Sequence, residues 1–153
     1  MSIIFFRVPI HNVAWARAGQ HGDVHFTPKR QANHMATIRQ YAEAAMGDRP
    51  PLEGPLRLVA RFVYVRPASW SKKRKAATSW KSSKPDASNI LKLLEDSLNG
   101  CVYLDDAQIA SITVEKIYGD TPLLEIAFMT LDDVPPLGIS SNSRSAVERD
   151  LFS

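Results

Sequence analysis

Residues 84–108, KPDASNILKLLEDSLNGCVYLDDAQ, place carboxylates and a lysine at a spacing that suits phosphate chemistry. Asp86 stands just ahead of a short helical pattern, Lys92 lies about one turn into it, and the pair Asp105-Asp106 follows it. Directly upstream, residues 57–84 hold Arg57, Arg61, Arg66, Lys72, Lys73, Arg74, Lys75, Lys81 and Lys84, with no Asp or Glu. Hydrolysing a phosphodiester needs charge neutralisation, a water nucleophile and a cation for the developing oxyanion. Mg²⁺ takes carboxylate and water oxygens as ligands, and lysines and arginines bind phosphates electrostatically. Carboxylates beside a block of cations therefore suit a site that holds Mg²⁺ and a phosphodiester together. They can converge only if the fold brings the start of the helix and the start of the following strand together.

The elements that must do this are readable from periodicity. Ile3 to Val8 is a short β-rich run closed by Pro9. Residues 11–23 read as a loop. Thr27-Pro28 is a helix start, Thr as N-cap and Pro at the first helical position, and the helix runs to about Met46 with Gly47 past its end. Residues 56–66 alternate, with Leu56, Leu58, Ala60, Phe62 and Tyr64 on one face. Residues 67–87 form a long polar, basic connection, of a length that is usually functional or disordered. A second helix spans about 88–99, ended by Gly100. Ile90, Leu91, Leu93, Leu94 and Leu98 fill one side of it, and Ser88, Asn89, Lys92, Glu95, Asp96 and Asn99 gather on the other. Strands follow at 109–118 and 123–130, and Gly119-Asp120 between them suggests a hairpin. The order β-α-β-(basic loop)-α-β-β defines an α/β (α+β) domain: a small mixed sheet of about four strands with two helices packed on it. Residues 1–131 are read as this one domain and 132–153, rich in Pro, Ser, Gly and charge, as a disordered tail.

Composition narrows the class. A chain of 153 residues, 44% hydrophobic and 23% charged, is an ordinary globular domain able to bury a core. The net charge of +3 is small; its concentration in the acid-free segment points to nucleic acid. Cys101 is the single cysteine. It allows no intrachain disulfide and no Cys-rich zinc site, which fits a reducing cytoplasm. The apolar start Met1 to Phe6 is ended too early by Arg7, Pro9 and His11 to be a signal peptide. No run reaches the ~18 apolar residues of a membrane span.

At the chemical residues the chain resembles the RusA family of Holliday-junction resolvases, common in prophages. That family is marked by K/R-P-D-x-D-N-x-x-K, then D-A-L-N-G, then D-D-x-Q entering a strand. The matching residues are Lys84-Pro85-Asp86-Ala87-Ser88-Asn89-Ile90-Leu91-Lys92, then Asp96-Ser97-Leu98-Asn99-Gly100, then Asp105-Asp106-Ala107-Gln108. Trp70-Ser71-Lys72-Lys73-Arg74 and Thr27-Pro28-Lys29 also resemble phage members. The resemblance covers roughly residues 3–130. It implies a RusA-like fold and a Mg²⁺-dependent crossover junction endodeoxyribonuclease of recombination and repair. It also implies a homodimer acting on four-way junction DNA. By position it assigns metal binding to Asp86 and Asp106, with Asp105 as a further candidate, and catalysis to Asp86, Lys92 and Asp106. The place of the basic segment directly before the carboxylates suggests DNA contacts at Lys72, Lys73, Arg74, Lys75, Lys81 and Lys84.

One position departs from the pattern. Ser88 stands where the family has the second aspartate of its D-x-D. A neutral hydroxyl is a poor Mg²⁺ ligand, so one anionic charge is missing there. Three accounts are open: Ser88 binds through a metal-bound water; Asp96, Glu95 or Asp105 supplies the charge; or the protein binds junctions and cuts them slowly or not at all. Ser88 also suits a helix N-cap. Ordinary roles compete at other residues too. Asp105-Asp106 can be a solvated turn, and Trp70 and Trp80 can anchor the basic loop on the core or stack on a base. Asn89 can hold the loop. His21 and His25 have a zinc-like spacing but no third ligand nearby, and Arg17 can touch DNA.

Overall fold

Alternation in the central strand sets the architecture. Leu56, Leu58, Ala60 and Phe62 are all essentially inaccessible to solvent, as a strand with one covered face requires. The computed structural model of the chain describes residues 1–13, 19–21, 24–26, 29–77 and 79–136, with backbone only for 19–21 and 24–26. In chain order these form β1 (Ile3–Val8), β2 (Gly19–His21), β3 (Val24–Phe26), α1 (Lys29–Met46), β4 (Leu56–Val65), α2 (Lys72–Ala76), α3 (Ala87–Leu98), β5 (Ile109–Gly119) and β6 (Leu123–Thr130). A 3-10 turn, Asp106–Gln108, leads into β5.

Four strands form one mixed sheet in the order β1-β6-β4-β5. The β1/β6 and β6/β4 pairs are antiparallel and β4/β5 is parallel. Ile4, Phe6 and Val8 of β1, the even-numbered residues of β4 and Leu124, Ile126 and Phe128 of β6 share one face. On that face they meet Ile38 and Ala42 of α1 and Ile90, Leu93, Leu94 and Leu98 of α3. The mixed four-stranded sheet with both long helices on it is the expected fold class. The apolar stripe read on the second helix is the buried one, with Ser97 added to it by a hydrogen bond from its hydroxyl to the Leu93 carbonyl at 2.6 Å.

The expected hairpin of the last two strands does not form. β5 and β6 are separated by β4, and residues 120–122 step over the end of β4. The Arg66 N–H donates to the Gly119 carbonyl at 3.2 Å, and the Arg66 guanidinium pairs with Asp120. The physical reason lies in the long connection 66–108. It contains α3 and crosses the covered face, and a crossover of that kind returns the chain parallel to its starting strand. β4, with a partner on each side, becomes central.

The basic connection is more ordered than its composition suggests. Ser71 caps α2 by accepting from the Arg74 N–H at 3.2 Å. Residues 79–81 then pair along the free edge of β5: Tyr118 N–H donates to Ser79 O at 3.0 Å and Lys81 N–H to Lys116 O at 2.9 Å. The region read as a loop at 11–23 holds β2, which pairs antiparallel with β3 just beyond it. The Thr27-Pro28 helix start, the Arg17 reading and the side chains of His21 and His25 lie outside the described residues, as does the tail reading beyond residue 136. Among the described residues no helix is long and apolar enough to cross a membrane.

Candidate active site

Asp86 is the N-cap residue of α3, with extended backbone (φ −68°, ψ 143°), and its side chain makes no capping hydrogen bond. Its carbonyl accepts from the Asn89 and Ile90 N–H groups at 3.1 and 3.2 Å. The exposed carboxylate is thus left available at the positive end of the helix dipole. The peptide before it is held from the sheet: Lys116 Nζ on β5 donates to the carbonyls of Ser83 at 2.8 Å and Pro85 at 2.7 Å. The Lys84-Pro85 bond is cis.

At the other end of α3 the chain folds back sharply. Gly100 takes φ +77°, a conformation that side-chain-bearing residues rarely adopt, and its N–H donates to Tyr103 O at 2.7 Å. Arg39 of α1 satisfies the helix end, its Nη1 donating to Asn99 O at 2.7 Å. Tyr103 is fully buried and donates its hydroxyl to the Glu95 carbonyl at 2.8 Å. Asn99 Oδ1 then accepts from the Asp106 N–H at 3.1 Å. Through these contacts the turn brings Asp106 back beside the C-terminal end of α3.

The charges register this meeting. Burial, then the like charges of Asp106 and Asp96, push the Glu95 carboxyl above its usual range, and Lys92 acts in the opposite direction. The Tyr103 phenol is raised far above its ordinary value by burial, with the negative charge of Glu95, Asp106 and Asp96 adding to it. Asp106, Asp96 and Lys92 are thus near enough to Glu95 to act on its charge, while Asp86 lies at the N-terminus of α3. Among the described residues no three carboxylate, imidazole or thiol groups converge tightly enough to enclose one ion. Ser88 is exposed in the first turn of α3, where Asp86 already holds the N-cap position. Asn89 is half-buried beside it.

Asp105 caps the 3-10 turn. Its Oδ1 accepts from the Ala107 N–H at 2.9 Å, and Gln108 completes a capping box. Gln108 is a clamp that the sequence reading did not single out. Its Oε1 accepts from the Leu104 and Asp105 N–H groups at 3.0 and 3.2 Å. Its Nε2 donates to the Leu52 and Gly54 carbonyls at 2.9 and 3.1 Å. Asn99 was likewise read only as a helix-surface residue. Their place in the N-G and D-D-x-Q strings was the available signal.

The cations divide into two groups. Lys72 and Lys73 on α2, and Lys84, are exposed. Arg74 stacks over Trp70 at 3.8 Å from the ring centroid, and Lys75 donates to Ala68 O at 3.2 Å. Lys81 lies 5.1 Å from the rings of both Tyr64 and Tyr118 and donates to Ser83 Oγ at 2.8 Å. Hydrogen bonds from Ser83 and Lys81 hold the Tyr118 phenol below its usual value. Trp70 packs edge-on against Tyr118 at 4.6 Å and so anchors the loop, whereas Trp80 is 68% exposed.

A family model described as Endodeoxyribonuclease RusA matches residues 7–129. The chain belongs to the RusA endodeoxyribonuclease family. Nucleases of this family resolve Holliday junctions and depend on divalent metals in general. Among similar proteins, the uncharacterized protein YqaN of Bacillus subtilis (strain 168) is 28% identical over 116 residues, covering 70% of this chain and 80% of that protein. The crossover junction endodeoxyribonuclease rusA of Lactococcus phage r1t is 27% identical over 106 residues, 69% of this chain and 77% of that protein.

Proposed function

We propose that this protein is a Mg²⁺-dependent, structure-specific endodeoxyribonuclease that resolves four-way DNA junctions in recombination and repair. The observation that carries the reading is the hydrogen bond that brings Asp106 back to Asn99 at the end of α3, near enough to act on the Glu95 charge, with Lys92 on the same helix and at its N-terminus an Asp86 carboxylate that makes no capping bond. The donors are carboxylate oxygens, the ligands a hard cation such as Mg²⁺ takes. A cation there would also relieve the repulsion between Glu95 and Asp106. Family position assigns metal binding to Asp86 and Asp106; they lie towards opposite ends of α3, so sharing one ion would require them to draw together on binding, with Glu95 adding negative charge near Asp106. When bound, the ion supplies neutralisation of the phosphate charge and a water nucleophile at neutral pH.

The remaining roles belong to the chain. Lys92 offsets the negative charge that develops on the phosphoryl oxygens as the bond breaks. The α3 N-terminus adds a partial positive charge on the same side. Lys72, Lys73, Arg74, Lys75, Lys81 and Lys84 hold the flanking phosphates and set the salt dependence of binding. Cutting leaves 5′-phosphate and 3′-hydroxyl ends. Resolution requires two cuts related by a two-fold axis, and a C₂ dimer supplies two sites with that symmetry.

A second reading has its own observation. Ser88 replaces a family aspartate, which favours a protein that binds junctions with impaired cutting. Incubation of a synthetic four-way junction and a linear duplex of the same sequence with protein and Mg²⁺ separates the readings. Symmetric nicking of the junction alone supports the nuclease. A stable junction complex with no cutting at any Mg²⁺ concentration supports the second.

A further inference from the structure

The edge of the sheet beside β5 carries a second cluster of polar groups, apart from the carboxylates. Lys81 Nζ donates to Ser83 Oγ at 2.8 Å and to the Tyr118 hydroxyl at 3.4 Å, and the Ser83 and Tyr118 oxygens lie 3.4 Å apart. The three side chains close a triangle. Ser83 is exposed, and Lys81 and Tyr118 are half-buried.

The triangle stands on fixed backbone. Residues 79–81 run along β5, with the Tyr118 N–H donating to Ser79 O at 3.0 Å and the Lys81 N–H to Lys116 O at 2.9 Å. Lys116 Nζ holds the Ser83 carbonyl at 2.8 Å. The Lys81 ammonium lies 5.1 Å from the ring centroids of both Tyr64 and Tyr118, and Trp70 packs edge-on against Tyr118. Groups placed by a strand edge and packed rings need little further ordering to bind a ligand.

Their chemistry is that of a donor set. An ammonium carries three protons and each hydroxyl one. Lys81 directs two of its protons to its neighbours' oxygens, and at most one hydroxyl proton is taken up between Ser83 and Tyr118. At least two protons, one of them on a cation, remain for a ligand among the described residues. The charges acting on the phenol, Lys81 and Arg74, are both cations. The ligand that fits is an anion with several acceptor oxygens and no donor, which describes the non-bridging oxygens of a phosphodiester.

We propose that Lys81, Ser83 and Tyr118 form a phosphate subsite that holds the DNA strand beside the phosphate to be cut. Ser83 is three residues ahead of Asp86, a reach of at most ~11 Å between their Cα atoms. At about 3.4 Å of helix axis per phosphate on a strand, the held phosphate lies within about three of the cut. Two of the three groups are neutral, so counting cations along the chain does not find them. The proposal rests on the nuclease reading for the strand that lies there, and on the triangle for the contact.

Binding of synthetic four-way junctions without Mg²⁺ tests it. The proteins are wild type, Ser83→Ala and Tyr118→Phe, and each junction carries a single methylphosphonate at one of successive positions around the branch point. The methylphosphonate removes one charge and one acceptor oxygen. Tyr118→Phe keeps the ring, and Ser83→Ala keeps the carbonyl that Lys116 holds. Each variant should bind the unmodified junction about 10-fold more weakly, the scale of a hydrogen bond to a charged group. The slope of log K against log salt should stay that of wild type, because no cation is lost. At one position the methylphosphonate penalty should be at least ~5-fold smaller in each variant than in wild type, the coupling expected of groups in direct contact. Penalties elsewhere should be equal in all three proteins, which shows that the variants are folded. Equal penalties at every position overturn the subsite, as do variants that bind the unmodified junction like wild type. Adding Mg²⁺ to wild type then reads the nuclease proposal separately. Coupling without cutting keeps the phosphate contact and removes the nuclease reading; cutting without coupling does the reverse.

Discussion

Glu95 and Asp106, eleven positions apart in the chain, lie close enough across the turn that ends α3 for the charge of Asp106, after burial, to help hold the Glu95 carboxyl above its usual range. Two like charges so placed repel unless a proton or a cation intervenes. In the nuclease account the cation is the metal, and Glu95 makes good the aspartate that Ser88 replaces. Glu95→Gln should then reduce junction cutting by at least ~10²-fold, the scale of losing a key electrostatic group. Ser88→Asp should leave the Mg²⁺ concentration for half-maximal cutting unchanged. A Mg²⁺ titration of both variants checks this; a half-point lowered by Ser88→Asp with Glu95→Gln fully active would show that the site lacks a charge.

The α2 cations should carry affinity rather than chemistry. Replacing Lys72, Lys73, Arg74 and Lys75 with Ala should weaken junction binding and flatten the slope of log K against log salt by up to ~0.9 per lost phosphate contact. Arg74 and Lys75 are engaged with Trp70 and Ala68 in the free protein, so Lys72 and Lys73 should account for more of the slope than the other two. Binding isotherms at several salt concentrations for the paired double variants decide it. An unchanged slope would place the phosphates elsewhere.

Stability should fall in acid through His34. This α1 residue is 6% exposed, and burial, with the nearby Arg30 charge, lowers its pKa from 6.5 to about 4. The folded state therefore resists protonation that the unfolded chain accepts. The contribution is full above pH 6.5 and is lost as the pH falls from there through about 4. His34→Leu removes the titration, so its urea midpoint should change less than that of wild type between pH 7 and pH 4.5. Equal acid sensitivity in both proteins would assign the loss to other groups.

The strands, the two long helices and their buried faces were legible because periodicity reports directly which side chains must leave water. Leu56, Leu58, Ala60 and Phe62, and the Ile90-to-Leu98 stripe, are cases in point. The partner of β5 was misread because Gly119-Asp120 is a strong local turn signal, while the crossover that makes β4 and β5 parallel spans more than forty residues. The α2 turn and the edge pairing of 79–81 were hidden for another reason. A run of lysines has no apolar period, and its structure comes from Ser71, Trp70 and the backbone of β5. At the site, residue types named Asp86, Lys92 and Asp106, but not the Glu95 meeting. That proximity depends on how Asn99, Gly100 and Tyr103 return the chain to α3, which no local pattern records.

The most direct test of the account removes one proposed ligand at a time from each end of α3. Asp86→Asn and Asp106→Asn keep side-chain volume, and neither carboxylate is the cap of its own helix or turn: Asp86 makes no capping bond, and Asp105 caps the 3-10 turn. Each variant should bind a synthetic four-way junction with near wild-type affinity and cut it at least ~10²-fold more slowly at saturating Mg²⁺. Turnover within a few-fold of wild type in either variant, with binding intact, would contradict the site.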